Sequence, residues 1–111
     1  DEPEVKERVL LSPMAYKGAE MLKHALDAFT AEDAETSREI IKADLEIDSH
    51  YSRLFDQLVK LMTNDPTTTV VTAQLLFVAK HLERIGDYVK DICELTVYMK
   101  EAVVIKHSPK A

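Results

Sequence analysis

The chain has 111 residues, enough for one domain of ordinary size, and its composition suits a folded, helix-rich protein. Its net charge of −6 argues against a nucleic-acid partner, because phosphate binding needs a basic face. A single cysteine excludes an internal disulfide, and the chain lacks the long apolar run of a membrane-spanning helix. These features predict a protein without membrane insertion, and a reducing, cytoplasmic location is consistent with them.

The first part of the chain predicts a connecting segment and one helix. Residues 1–11 are expected to form a linker or N-terminal extension to a domain over residues 12–107, and Ser12 followed by Pro13 is typical of a helix start. The first helix is predicted over about residues 13–29. Apolar residues at spacings of three and four predict its core-facing stripe: Ala15, Ala19, Leu22, Leu26 and Phe29.

The second predicted helix, over about residues 32–62, carries two acids in its apolar stripes. A capping-box-like sequence at residues 30–33 precedes it. Asp44 and Asp48 are one helical turn apart, at positions where apolar residues are expected. An ionised carboxylate inside an apolar stripe is costly unless it is paired or binds metal. The two acids therefore indicate a metal site, or a bundle edge at which they lean into water.

The third helix is predicted over about residues 66–103, with Asp65 as its cap and residues 108–111 as a flexible tail. A nearly regular apolar seam predicts antiparallel bundle packing. Its residues are Val71, Leu75, Val78, Leu82, Ile85, Val89, Ile92, Thr96, Met99 and Val103. Beside the seam lie three small residues at seven-residue intervals, Ala79, Gly86 and Cys93, which predict a groove for a closely packed neighbour.

A second pair of acids, Glu83 and Asp87, lies one turn apart on this third helix. The second and third helices predict a hairpin that turns near residue 65, in which the positions of facing residues add to a constant. That relation places Asp87 level with Asp44, and Glu83 level with Asp48. Four carboxylates at one level form a candidate site for hard cations such as magnesium, manganese, iron or calcium.

The helical angle of Glu83 and Asp87 limits this interpretation. At about 100° per residue, both point away from the apolar seam of their own helix. The predicted site is therefore either an open surface site with water ligands or a site that another domain completes. Read alone, this pair is more typical of a solvated acidic face.

Three stretches of the chain together resemble the PhoU-type phosphate regulators. The first is residues 75–87, continued by residues 91–94, which is similar to the signature helix of that family. Residues 43–48 resemble the paired aspartates of its preceding helix, and residues 22–29 resemble the start of its repeat. The family usually has two three-helix repeats, whereas this chain contains one, and its ending resembles the second, C-terminal repeat. Asp91 stands where the family more often has asparagine.

The resemblance implies an all-α, antiparallel three-helix bundle with a surface metal cluster on its acidic motifs. On this chain the implied ligands are Asp44, Asp48, Glu83 and Asp87, and the ion is iron, manganese, magnesium or zinc. The resemblance also implies a cytoplasmic, non-enzymatic negative regulator that couples a phosphate ABC transporter to a sensor histidine kinase. It further implies a homo-oligomer.

Three other interpretations remain at the level of sequence. Some sodium–phosphate cotransporters carry a similar cytoplasmic domain. A carboxylate-bridged di-metal enzyme would need Glu-x-x-His on facing helices, and that motif does not occur in this chain. A purely structural bundle that dimerises through the small-residue groove is the third possibility.

Overall fold

The computed structural model describes residues 10–107, and the side chains as far as residue 102. This range contains three α-helices and no strand, and a single turn of 3-10 helix at Pro66–Thr68 precedes the third α-helix. The helices are α1 (Leu11–Thr30), α2 (Ala34–Asn64) and α3 (Thr69–His107). Each helix contacts the other two, which confirms the predicted all-α, three-helix bundle.

Two predicted segments lie wholly or largely outside this range, namely residues 1–9 of the expected linker and the expected tail at residues 108–111. Within the described range, none of the helices is long and apolar enough to cross a membrane.

Helix α1 begins two residues earlier than expected. Leu10 takes the cap position without a side-chain hydrogen bond, so Ser12 is not the cap. The helix extends because Leu11 and Met14 are buried in a core cluster with Leu54 and Leu58 of α2. Burial of an apolar side chain supplies more free energy than a capping hydrogen bond, and it decides where the helix starts.

The inward side of α1 is displaced by one residue from the predicted stripe. Leu26 and Phe29 of that stripe are 48% and 41% exposed, respectively. A Cβ atom on Gly18 would lie 3.8 Å from Cγ2 of Ile85, so α1 and α3 approach each other closely there. The predicted stripe is wrong because close packing selects small or flexible residues over large ones. The buried residues are Leu11, Met14, Gly18, Met21, Ala25 and Ala28.

The two connections end and begin helices with aspartate caps. Asp33, rather than Thr30, caps α2, and its Oδ1 accepts a hydrogen bond of 3.0 Å from the backbone N–H of Thr36. The residue before it, Glu32, has a positive φ of 55°, which reverses the chain. Asp65 caps the next segment as predicted, accepting from the backbone N–H of Thr67 at 3.2 Å.

The α2–α3 hairpin has the register predicted from the sequence. The Nζ atom of Lys80 lies 5.9 Å from the centre of the Tyr51 ring, and these two positions satisfy the predicted constant. Asp87 likewise lies beside Asp44. The hairpin turn therefore fixes which residues of α2 and α3 stand at the same level.

The buried side of α3 differs from the predicted seam by a rotation about the helix axis. Val78, Ile85 and Met99 of that seam are exposed, whereas Leu75, Val89 and Thr96 are buried as predicted. The small residues lie near the centre of the buried side rather than beside it. That side consists of Val71, Thr72, Leu75, Ala79, Gly86, Val89, Cys93 and Thr96.

We expect Leu58→Ala to lower the free energy of unfolding by about 2–5 kcal/mol, because Leu58 is 0% exposed and its loss leaves a cavity. Urea denaturation followed by circular dichroism measures the change. Leu45→Ala is the matched control, since Leu45 lies on the same helix and is 63% exposed. Equal losses in the two variants would contradict the described core.

Candidate metal centre

Three aspartates converge at the contact between α2 and α3. Asp44 and Asp48 lie one turn apart on α2, and Asp87 faces them from α3. One carboxylate oxygen from each residue lies within 4.8 Å of the other two. We call these three residues the aspartate cluster. The cluster is graded from the core to the surface, because Asp44 is buried, Asp48 is half-buried and Asp87 is exposed.

Asp44 is the innermost member of the aspartate cluster. It is 1% exposed and lies on the buried stripe of α2 between Ile40 and Ile47. Its Oδ1 atom has no hydrogen-bond partner among the described residues. A buried carboxylate oxygen without a partner is strongly unfavourable, and a proton or a cation would relieve that cost.

Gly86 provides the space that Asp44 occupies. A Cβ atom at Gly86 would lie 2.8 Å from Oδ1 of Asp44, which is closer than such atoms approach each other in proteins. The sequence predicts a closely packed neighbour at Gly86, and the structure identifies that neighbour as a carboxylate. Ala79 and Cys93 are buried on the same side of α3. The small-residue groove is therefore filled within one chain, so its predicted use as a dimer interface is wrong.

The surroundings of the cluster favour neutralisation of its charge. Burial, and after it the nearby negative charges of Asp48 and Asp87, together raise the pKa of Asp44 from 3.8 to about 6. Burial also raises the pKa of Asp48, with Asp87 and Glu83 adding to the effect. Lys90 acts in the opposite direction on the pKa of both residues. A bound cation would have the same sign of effect as Lys90, and a stronger one at higher charge.

Glu83 stands apart from the aspartate cluster. It is half-buried, and its Oε1 atom accepts a hydrogen bond of 2.8 Å from Nζ of Lys80. The hydrogen bond to Glu83 raises the pKa of Lys80. The expected role of Glu83 as a fourth metal ligand therefore stays a prediction, and it requires Glu83 to exchange Lys80 for the metal.

The aspartate cluster has the donor set of a site for a hard cation. All of its ligand atoms are carboxylate oxygens, which magnesium, manganese and ferric iron prefer. Asp87 is exposed on the outer side of the cluster. Sequence reasoning missed two lysines, Lys90, which acts on the cluster, and Lys80, which pairs with Glu83. Their spacing in the sequence could have indicated them, because each lysine lies three residues from an acid of α3 and so beside that acid on the helix surface.

We expect the stability of the metal-free protein to fall as the pH rises from about 4 to 6, since folded Asp44 retains a proton there that the unfolded chain has released. Asp44→Asn removes this contribution, so its advantage over wild type should grow across that window by roughly 2 kcal/mol and then level off. Chemical denaturation in the presence of a chelator at several pH values measures the difference. Asp56→Asn, exposed on α2, should follow wild type, and a constant offset for Asp44→Asn would contradict the argument.

Comparison with known proteins identifies a family model that covers most of the chain. The model of the PhoU domain matches residues 11–96. A PhoU homologue from Clostridium acetobutylicum is 38% identical over 86 residues, which cover 78% of this chain and 39% of the relative. A homologue from Caulobacter vibrioides is 43% identical over 74 residues, which cover 67% of this chain and 32% of the relative. Both relatives are named phosphate-specific transport system accessory proteins.

A third relative extends the similarity over nearly the whole chain. The second PhoU homologue of Thermotoga maritima is 32% identical over 106 residues, which cover 96% of this chain and 45% of the relative. The chain thus spans less than half the length of the curated relatives that it matches. No solved structure matches the chain significantly.

Proposed function

This chain belongs to the PhoU domain family, and on that premise we propose that it is a non-enzymatic accessory protein of phosphate transport that carries a metal ion. The names of its relatives, which are phosphate-specific transport system accessory proteins, support a phosphate transporter as its partner. The same names favour an accessory protein over the cytoplasmic domain of a cotransporter. From the family resemblance we further propose that it acts in the cytoplasm and couples an ABC transporter to a sensor histidine kinase, restraining the phosphate-starvation response.

The observation that carries the metal proposal is the orphaned oxygen of Asp44. A solvated acidic face does not bury a carboxylate oxygen without a partner, whereas a metal site does so until its ion binds. Asp48 and Asp87 supply two further oxygens at the same place. We propose these three aspartates as the ligands, with Glu83 as a fourth after it releases Lys80.

The proposed ion is one that a set of carboxylate oxygens suits. Manganese, magnesium and ferric iron meet this condition, while zinc in structural sites more often takes nitrogen or sulfur. The described cluster contains no histidine or cysteine among its ligand atoms. When bound, the ion neutralises the repulsion between the three carboxylates and joins α2 to α3. We propose this role, the fastening of two helices, rather than a catalytic one.

We expect manganese or magnesium to raise the melting temperature of wild type, because an ion that binds only the folded state stabilises it by about 2.7 kcal/mol at one hundred times Kd. Asp48→Asn and Asp87→Asn should remove most of this shift. Asp56→Asn should retain it, as an exposed acid on the same helix as Asp48. Differential scanning calorimetry measures the melting temperature, and elemental analysis measures the metal bound to each variant.

Two further variants sharpen this experiment. Gly86→Ala should fold but bind metal more weakly, since its new Cβ displaces the Asp44 carboxylate. Glu83→Gln decides whether Glu83 is a ligand, because loss of the shift assigns it and an unchanged shift excludes it. If wild type shows full helicity but no metal-dependent shift, the metal part of the proposal is wrong.

The regulatory part of the proposal has a separate test in the host cell. Removal of the gene should switch on a phosphate-starvation reporter in phosphate-rich medium, and the wild-type gene should restore repression. Complementation with Asp48→Asn tells whether repression needs the metal site, with Asp56→Asn as the control. A reporter that stays repressed after removal of the gene would contradict the regulatory role.

A further inference from the structure

A cavity of about 550 Å³ lies between the N-terminal half of α1 and the middle of α2. This volume suits a small organic molecule, since ligand sites in proteins typically measure roughly 300–1,000 Å³. None of the three clustered aspartates lines the cavity, so it is separate from the candidate metal centre. Half of its lining is apolar and comes from α2 and from α1 with its cap residue: Leu10, Pro13, Met14, Ile47 and Leu54.

The apolar lining has a buried part and an exposed part. Met14, Ile47 and Leu54 are buried in the two core clusters, so they form the floor of the cavity. Leu10, which is 44% exposed, and the exposed Pro13 lie on the α1 side. A hydrocarbon group placed against these two residues would remove apolar surface from water. The α1 side of the cavity therefore favours the apolar part of a ligand.

The α2 side of the cavity carries an arginine that is ready to bind an anion. Nη2 of Arg53 lies 3.4 Å from Nδ1 of His50. Because an arginine keeps its protons, Arg53 donates in this contact and the ring nitrogen accepts, so His50 is neutral. Arg53 is exposed and forms no ion pair with another described residue. Its remaining N–H groups suit the two oxygens of a carboxylate.

The charges that line the cavity favour a ligand with one negative charge. Lys17 on α1 is the second cation of the lining, and Glu46 on α2 is its acid. Nζ of Lys17 lies 3.9 Å from Oε1 of Glu20, but that pair is exposed and contributes little, so Lys17 can turn toward a ligand. With His50 neutral, the described lining carries a net charge of +1, whereas the whole chain carries −6. One negative charge balances this lining, and a second would be left without a partner.

We propose that this cavity binds a small organic acid, namely a monocarboxylate with an apolar or aromatic body. The carboxylate accepts hydrogen bonds from the guanidinium group of Arg53, and Lys17 adds a second positive charge. The apolar body lies over the floor of the cavity and against Leu10 and Pro13. Such a ligand contacts α1 and α2, whereas the proposed metal ion joins α2 to α3. The two sites therefore act on different pairs of helices, and the ligand site does not depend on the metal.

A set of four small probes tests this chemistry on the 111-residue chain in metal-free buffer. We expect phenylacetate to bind about tenfold more tightly than acetate, which lacks the apolar body, or phenylacetamide, which lacks the charge. Phenyl phosphate, which carries two charges near neutral pH, should bind no more tightly than phenylacetate. Two-dimensional NMR spectra of the ¹⁵N-labelled chain measure each Kd, and the shifted amide signals should belong to residues that line the cavity.

Three charge variants identify the residues that hold the ligand. Arg53→Gln should weaken phenylacetate binding by about tenfold, while Glu46→Gln should strengthen it, because the lining then loses its negative charge. Arg84→Gln should bind like wild type, since Arg84 is an exposed arginine on α3 outside the cavity.

Three results would overturn the proposal. They are an Arg53→Gln variant that binds phenylacetate as tightly as wild type, a wild-type chain whose cavity signals do not shift, and tighter binding of phenylacetamide or phenyl phosphate than of phenylacetate. Because the experiment contains no metal, its failure would leave the metal proposal intact.

Discussion

The contact between the carboxylate of Asp44 and the bare backbone of Gly86 determines how α2 and α3 meet. A side chain at position 86 would occupy the position of Oδ1, and an apolar residue at position 44 would remove the charge around which Asp48 and Asp87 are arranged. The buried stripe of α2 holds Asp44 between two isoleucines, so the carboxylate cannot turn outward without unpacking them. This packing keeps a charged group in the core at a continuous cost to stability.

The gradation of burial within the aspartate cluster connects this cost to function. A fully enclosed cluster would bind a cation tightly and release it slowly, and a fully exposed cluster would hold it weakly. Here the burial of Asp44 favours binding of a positive charge, while the exposure of Asp87 lets an ion reach the cluster from solvent. Lys90 lies near the cluster and supplies positive charge in the absence of an ion. A cation bound to the cluster would supply more and would link α2 to α3.

Helix α3 serves two environments at once. Its inner side is lined mainly by small and medium-sized residues, which let α1 and α2 approach closely, whereas its outer side carries large apolar residues in solvent. This distribution explains why sequence periodicity misplaced the core. A seam drawn through the largest residues mixes the two sides, because Val78, Ile85 and Met99 belong to the outer side and Leu75 and Val89 to the inner one. The same error displaced the core stripe of α1 by one residue, where Leu26 and Phe29 lie outside.

Residue patterns along the chain are enough to predict the number and approximate bounds of the helices, the aspartate cap at residue 65 and the level at which Asp44 and Asp87 meet. These are local or one-dimensional properties, since propensity, capping and hairpin register depend on neighbouring residues and on the length of a turn. The packing of the three helices determines which side of each helix is buried, the contact of Asp44 with Gly86, and the pairing of Glu83 with Lys80 outside the cluster. Rotation of a helix about its axis depends on the shapes of all its neighbours together, and the spacing of residues along one chain does not contain that information.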